Sequence, residues 1–334
     1  MNKAFFRWAG KALGAGLAAF LLLCLFCCFY YNVPVHFANP DGATEYKWEP
    51  GRFYSRGTEG FALGRINSDG FNNLRDYSPG ERIDILLMGS SHMEGFNLAQ
   101  DENAAAVLNT LFAGQRRVYN IGTAGHTFLY CVKHLERALD VYAPAQYVLI
   151  EAADLSFPAA EIEAAVDGTL PDIPSHTGGL LTALQKLPFL RLFYTKYVKT
   201  GEAFGDPEAQ PTAAESSDAD YERAMDRLLG KVARVSAEHR VVPIVVYDPG
   251  VLPDADGRGY TAAKPGQREL FRRLCEKNGV ALIDLTERYL HALDVERVFP
   301  FGFSNTEPGA GHMNRRGHRM FAEAVFRFIE EREG

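Results

Sequence analysis

Cysteine is scarce and poorly placed for cross-linking. Of the 5 cysteines, Cys24, Cys27 and Cys28 lie in an N-terminal apolar stretch, which leaves Cys131 and Cys275 in the polar remainder. A disulfide framework is thereby excluded. The alternatives are one Cys131–Cys275 bridge or two small buried thiols on helices. No Cys or His pair has metal-ligand spacing, so no metal is expected. No cofactor is expected either, since Gly122-Thr123-Ala124-Gly125 lacks the Gly-Lys-Ser/Thr ending of a phosphate loop. Basic residues are outnumbered, 35 Lys and Arg against 42 Asp and Glu, with no basic run. A net charge of −7 without a basic stripe argues against a nucleic-acid partner. Internal repeats are also lacking.

Charge is missing altogether from residues 12–31, and no acid occurs before Asp41. That span is rich in Leu, Phe, Ala and Cys, and its length matches the roughly 20 residues of a membrane-crossing helix. Lys3, Arg7 and Lys11 precede it, so residues 1–11 are expected in the cytoplasm, 12–31 as a transmembrane anchor and the rest outside. This predicts a single-pass inner-membrane protein. A cleaved signal peptide is the rival reading, but the run is long for one and no small-residue cleavage site follows it. A lipoprotein signal fits less well, because Leu precedes Cys24.

Residues 32–80 are rich in Gly, Asn, Asp, Pro and aromatics and read as a tether with an irregular lead-in. From residue 81 to the C-terminus at 334, strand and helix patterns alternate. Strands are predicted over 83–88, 117–120, 145–151, 241–247 and 280–285. Helices are predicted over 103–112, 128–141, 220–238, 267–277 and 316–331. Such alternation predicts a parallel sheet with helices on both faces. Residues 155–217 interrupt it with an apolar stretch (180–198) and a segment poor in bulky residues (205–217). A lid, a partner surface and a membrane-proximal cap all fit this insertion.

The chemistry-bearing residues sit where the apolar runs stop. Ile85-Leu86-Leu87-Met88 ends at Gly89-Ser90-Ser91, which puts a serine just past the carboxyl end of a buried strand, where open α/β sheets place ligands. Far downstream, Gly311-His312-Met313-Asn314 supplies an imidazole on the loop that opens the last helix. A serine hydroxyl needs a base to take its proton, and His312 is the candidate.

The constellation resembles the SGNH/GDSL hydrolase superfamily, in particular membrane-anchored bacterial members with an upstream Asn-Ser-x-Gly-Phe segment, here Asn67 to Phe71. The resemblance covers roughly residues 65–330 and implies an α/β, flavodoxin-like three-layer parallel sheet. It also implies that Ser91 is the nucleophile, with Ser90 in place of the usual Asp, and that Gly125 of Asn120-Ile121-Gly122-Thr123-Ala124-Gly125 lends an amide to an oxyanion hole shared with the amide of Ser91. Two further sites depart from the family pattern. Ala153, before Asp154, stands where the family carries an oxyanion-binding Asn, and Gly309-Ala310 stand where it carries the Asp that orients the histidine. Asn97 or Asn120 is the candidate replacement donor, with backbone amides alone as the alternative. Glu307, a distant carboxylate or a backbone carbonyl is the candidate partner for His312. Asp154 and Asn314 complete the candidate support residues. His92 and His126 follow motif positions and are candidates to line the pocket, whereas His318 is expected to pack against or cap the last helix.

The expected function is that of an extracytoplasmic serine acyl-ester hydrolase or O-acyltransferase acting on an envelope or exported glycan. The alternative is a catalytically degenerate domain that binds glycan or an envelope-assembly protein partner.

Overall fold

The computed structural model describes residues 3–173, 186–194, 217–253, 259–262 and 265–334. It opens with one helix, α1 (Lys3–Tyr30), long and apolar enough to cross a membrane, with a mean hydropathy of 2.5 over its most apolar window. Cys27 is its one buried residue. The helix begins nearer the N-terminus than residues 12–31, because the basic flank continues the same helical turns.

Strand β1 (Tyr31–Asn32) follows α1 without an intervening residue, and then come β2 (His36–Ala38), β3 (Tyr46–Trp48), β4 (Phe53–Arg56) and β5 (Ala62–Arg65). All pairings here are antiparallel: β4 lies between β1 and β5, and β2 pairs with β3. Their side chains bury Tyr31, Val33, Tyr46, Trp48, Tyr54, Ala62 and Ile66 in one cluster with Phe96. The expectation of an irregular lead-in over 32–80 is therefore corrected for residues 32–65, while 66–80 carry turns and bends without helix or strand. Strands of two to four residues are too short to show a period-2 pattern, and aromatic packing holds them instead.

The body of the chain is built from β6 (Ile85–Met88), α2 (Ser91–Glu94), α3 (Ala104–Leu111), β7 (Val118–Asn120), α4 (Phe128–Tyr142), β8 (Tyr147–Ala152), α5 (Ala159–Asp167), α6 (Pro188–Phe193), α7 (Asp218–Glu238) and β9 (Val242–Tyr247). A small hairpin of β10 (Val251–Pro253) and β11 (Tyr260–Ala262) precedes α8 (Pro265–Lys277), β12 (Ala281–Asp284), α9 (Thr286–His291) and α10 (Arg315–Glu333).

Five of these strands form one parallel sheet in the order β12-β9-β8-β6-β7. Numbered within the sheet, that order is 2-1-3-4-5, the flavodoxin-like winding. Alternate strand residues face opposite layers, as the pleat requires. Leu86, Met88, Val148, Ile150 and Val245 pack with α4, α5, α7 and α8. Ile85, Leu87, Leu149, Ile244 and Val246 pack with α3, α9 and α10. The predicted three-layer α/β fold is what the chain adopts, and its switch point lies between β6 and β8, at whose carboxyl ends a ligand crevice is expected.

Part of the insertion is described. Helix α5 packs on α4 and α7, while α6 lies against α1 and β1, with the rings of Phe20 and Phe189 in an edge contact 6.0 Å apart. Much of the apolar stretch 180–198, and the segment 205–217 except Ser217, lie outside the described residues. Cys131 on α4 and Cys275 on α8 are both buried free thiols, so the bridge between them is not formed.

Candidate active site

Ser91 owes its position to the abrupt end of β6. Met88 pairs with Ile150, so the chain beyond it crosses the carboxyl end of β8 close to Glu151. Gly89 permits this crossing, since a Cβ there would lie 2.5 Å from Glu151 Oε2. The Ser90 amide donates to that same oxygen at 2.5 Å, and the Ser90 hydroxyl donates to Oε1 at 3.1 Å. Ser90 also caps α2 by accepting from the His92 amide, which lifts Ser91 into the first helical position.

His312 reaches Ser91 from the loop before α10. Its Nε2 lies 3.0 Å from Ser91 Oγ. Its Nδ1 lies 2.6 Å from Glu59 Oε2, and its backbone amide donates to Glu59 Oε1 at 2.7 Å. A carboxylate on Nδ1 assigns the ring proton there and leaves Nε2 to accept from the serine hydroxyl. Gly311 makes room for this pairing. It has φ +83°, and a Cβ on it would lie 2.4 Å from Glu59 Oε1.

Glu59 sits in the turn between β4 and β5, which Asn305 clasps by accepting from the Gly60 amide and donating to the carbonyls of Gly57 and Gly60. Partial burial opposes its charge. Hydrogen bonds from the ring and backbone of His312, with the charges of His312 and Arg56, outweigh that and hold its carboxyl below the ordinary value.

The other expected residues divide between this site and its scaffold. Asn97 donates to Glu59 Oε2 at 3.3 Å, so it supports the acid rather than an oxyanion. Asn120 is committed on both sides of its amide, donating to the Met93 carbonyl and accepting from the Gly122 amide, and it cannot replace the missing oxyanion donor. Glu307 is exposed and neither a hydrogen bond nor an ion pair joins it to His312; Glu59 occupies the place proposed for it. Asp154 accepts from the Ser156 amide, and no hydrogen bond joins it to Ser91 or His312. Asn314 caps α10 through the amides of Arg316 and Gly317 and donates to the carbonyls of Phe299 and Gly302, thereby fixing the loop that carries His312. Gly125 lies in the turn after β7, and neither its amide nor that of Ser91 donates to an acceptor among the described residues.

Two buried groups tie this scaffold together. Glu94, on α2, accepts from Trp48 Nε1 at 2.7 Å and from the Ala124 amide at 3.2 Å, joining the serine helix to the turn that holds Gly125. Burial pushes its carboxyl up to about 7, against the hydrogen bond from Trp48, the charge of Arg56 and the hydrogen bond from Ala124. His92, Glu151 and Asp248 form the second group, converging from α2 and from the ends of β8 and β9 with ligand-type atoms within 4.8 Å of one another. Their spacing is that of hydrogen bonds, with His92 Nδ1 2.8 Å from Asp248 Oδ2, so the three satisfy one another as an ion-pair network. Sequence reading missed this group and Glu59 alike, since each member sits in a different segment.

The two other histidines considered in the sequence, His126 and His318, are packed into the scaffold. His126 is buried, accepts from the Glu45 amide and is pushed down to about 3 by burial and the neighbouring charges of His134 and Lys133. His318 is fully buried, accepts from the Ala104 amide at the start of α3 and is likewise pushed down to about 3 by burial, His92 and His312.

No protein-family model and no curated protein matches the sequence. Among solved structures, the chain is similar to a psychrotrophic esterase from a Pseudoalteromonas species at 12% identity, over 74% of this chain and 96% of that one, with a TM-score of 0.39. It is similar to an acetyl xylan esterase at 12% identity, over 74% and 100% of the two chains, with a TM-score of 0.41. A member of the lipolytic G-D-S-L family from Veillonella parvula gives 12% identity, 74% and 98% coverage and a TM-score of 0.38. Likenesses this distant decide nothing about chemistry, which rests on the geometry above.

Proposed function

We propose that the chain is a serine acyl-ester hydrolase or O-acyltransferase of the SGNH/GDSL type, held at the inner membrane by α1 with its catalytic region outside the cytoplasm. One observation carries this reading: the continuous chain from Ser91 Oγ through the His312 imidazole to Glu59, with links of 3.0 and 2.6 Å. His312 takes the serine proton as Oγ attacks an ester carbonyl, and Glu59 holds the imidazole in the correct tautomer and stabilises the imidazolium that forms. The amides of Ser91 and Gly125 receive the oxyanion. His312 then protonates the departing alcohol, and water or a sugar hydroxyl takes the acyl group from Ser91.

An intact triad favours this over a degenerate glycan- or partner-binding domain, because a binder has no need of an ordered serine, base and acid. Attachment beside the membrane makes an envelope or exported glycan the expected substrate or acceptor. The test is labelling of the purified full-length protein with a fluorophosphonate, together with turnover of an acetyl-ester reporter. Both are expected to vanish in Ser91→Ala and in His312→Ala. Absence of labelling in folded wild type, or activity surviving in Ser91→Ala, would overturn the proposal. Product analysis with and without a sugar acceptor separates hydrolysis from transfer.

A further inference from the structure

His92 follows the nucleophile directly, yet the Ser–His–Glu chain makes no use of it. Its Nδ1 lies 2.8 Å from Asp248 Oδ2 and 3.3 Å from Glu151 Oε1, two carboxylates whose side chains are 0% and 1% exposed. Both are held in place by other donors. Asp248 Oδ1 accepts from the Tyr289 hydroxyl at 2.7 Å, and Glu151 accepts from the amide and hydroxyl of Ser90. A nitrogen that faces two acceptors carries its proton.

The second ring proton, on Nε2, is retained for the same reason, since two buried carboxylates stabilise the imidazolium. Burial alone would lower the pKa of His92, but the hydrogen bonds and charges of Asp248 and Glu151 raise it to about 10. Nε2–H is thus a charged donor, and among the described residues it has no acceptor. The side chain keeps 18% of its surface open, and its ring stands edge to face with that of His312 at 5.8 Å between centroids. An anchored, charged donor without a partner, next to both the nucleophile and the base, is arranged for a negative charge that exists only during reaction.

We propose that His92 supplies the side-chain donor of the oxyanion hole, its Nε2–H meeting the carbonyl oxygen of the ester that Ser91 attacks. The proposal rests on the acyl-transfer reading above. It fills the place that Ala153 leaves empty and that Asn97 and Asn120, both engaged elsewhere, do not fill. As the bond from Oγ to the carbonyl carbon forms, the carbonyl π pair moves onto oxygen and the serine proton passes to His312. His92 donates a hydrogen bond to that oxyanion and keeps its own proton. When the intermediate collapses, the pair returns to the carbonyl and the alkoxide leaves with the proton from His312. Asp248 and Glu151 act through His92 and are positioning residues.

The test uses steady-state kinetics of the full-length protein with an acetyl-ester reporter. His92→Ala is expected to lower kcat by roughly a hundred- to a thousandfold with KM little changed, and to slow fluorophosphonate labelling in parallel. His92→Gln, whose amide can present a donor near the position of Nε2, is expected to recover a substantial part of the loss, which a purely structural role would not allow. Loss of folding in both variants would leave the wild-type readout decisive. On phosphonylation of Ser91, the Nε2 proton of His92, observed by 15N-edited NMR, is expected to move downfield. An unchanged Nε2–H signal, or kcat within a few-fold of wild type in a folded His92→Ala protein, would overturn the inference. Failure of Ser91→Ala to abolish turnover would instead overturn the underlying reaction, so the two failures are distinguishable.

Discussion

Glu59 and His312 are 253 positions apart in the chain, yet Glu59 meets the imidazole and the backbone amide of His312 with both of its oxygens. The acid comes from an antiparallel turn ahead of the main sheet, and the base from a loop after the last strand. Replacing Glu59 with Gln would leave the turn in place but offer Nδ1 an amide. Turnover of an acetyl-ester reporter is expected to fall roughly a hundred- to ten-thousandfold, mostly in kcat. Activity within a few-fold of wild type would remove Glu59 from the mechanism.

Gly311 is expected to tolerate no side chain. Its φ of +83° disfavours any L residue, and the added methyl would strike Glu59 Oε1. Gly311→Ala should lower the unfolding free energy by about 1 kcal/mol or more. It should also separate Glu59 from His312 and reduce kcat, as denaturant melts and reporter kinetics on one preparation would reveal.

Glu94 makes a pH prediction whose sign is fixed. Its folded-state pKa of about 7 lies above the ordinary 4.5, so between those values the folded state binds the extra proton. Stability from this group is full below about pH 4.5 and is lost as pH rises towards 7. The same Oε1 accepts from both Trp48 and Ala124, so a glutamine can keep both bonds without ionising. Glu94→Gln is expected to gain up to about 3 kcal/mol relative to wild type at pH 8 and nearly nothing at pH 4.5. Urea titrations at the two pH values check this.

Asn314→Ala removes the cap of α10 and two bonds to the loop before it. A loss of about 1–2 kcal/mol is expected in chemical denaturation, with a lowered kcat because His312 lies two residues away. Unaltered stability would show that the cap is dispensable.

Cys131 and Cys275 are expected to react as free thiols once the protein is unfolded, and a reductant should leave the melting temperature unchanged. Thiol titration in denaturant, with and without prior reduction, decides this.

The five sheet strands and helices α3, α4, α7, α8 and α10 were legible because their cores are continuous apolar runs or 3.6-residue patterns, whereas the shorter α2, α5 and α9 were not. Ser91 and His312 were legible because each sits where such a pattern breaks. Glu59 was not, since Gly57-Thr58-Glu59-Gly60 carries the composition of any surface turn, and only the pairing of β4 with β5 aims it at the loop of His312. The His92–Glu151–Asp248 group was hidden for a related reason. Its members are ordinary residues at the ends of separate elements, and only the strand order 2-1-3-4-5 brings β8 and β9 beneath the serine helix. Sequence patterns report what one element buries, whereas this site is made of what several elements exchange.

Helix α1 becomes β1 at Tyr31 with no spacer, and the partner strand β4 leads within three residues to Glu59. The reactive groups are accordingly not on a leash. Anything that fixes α1 in place also sets the height at which Ser91 works, as a rigid post sets the height of a lamp. On the proposed function, a long spacer would let one enzyme sweep a wide volume, whereas a post would confine it to molecules delivered at that level and make delivery part of substrate choice.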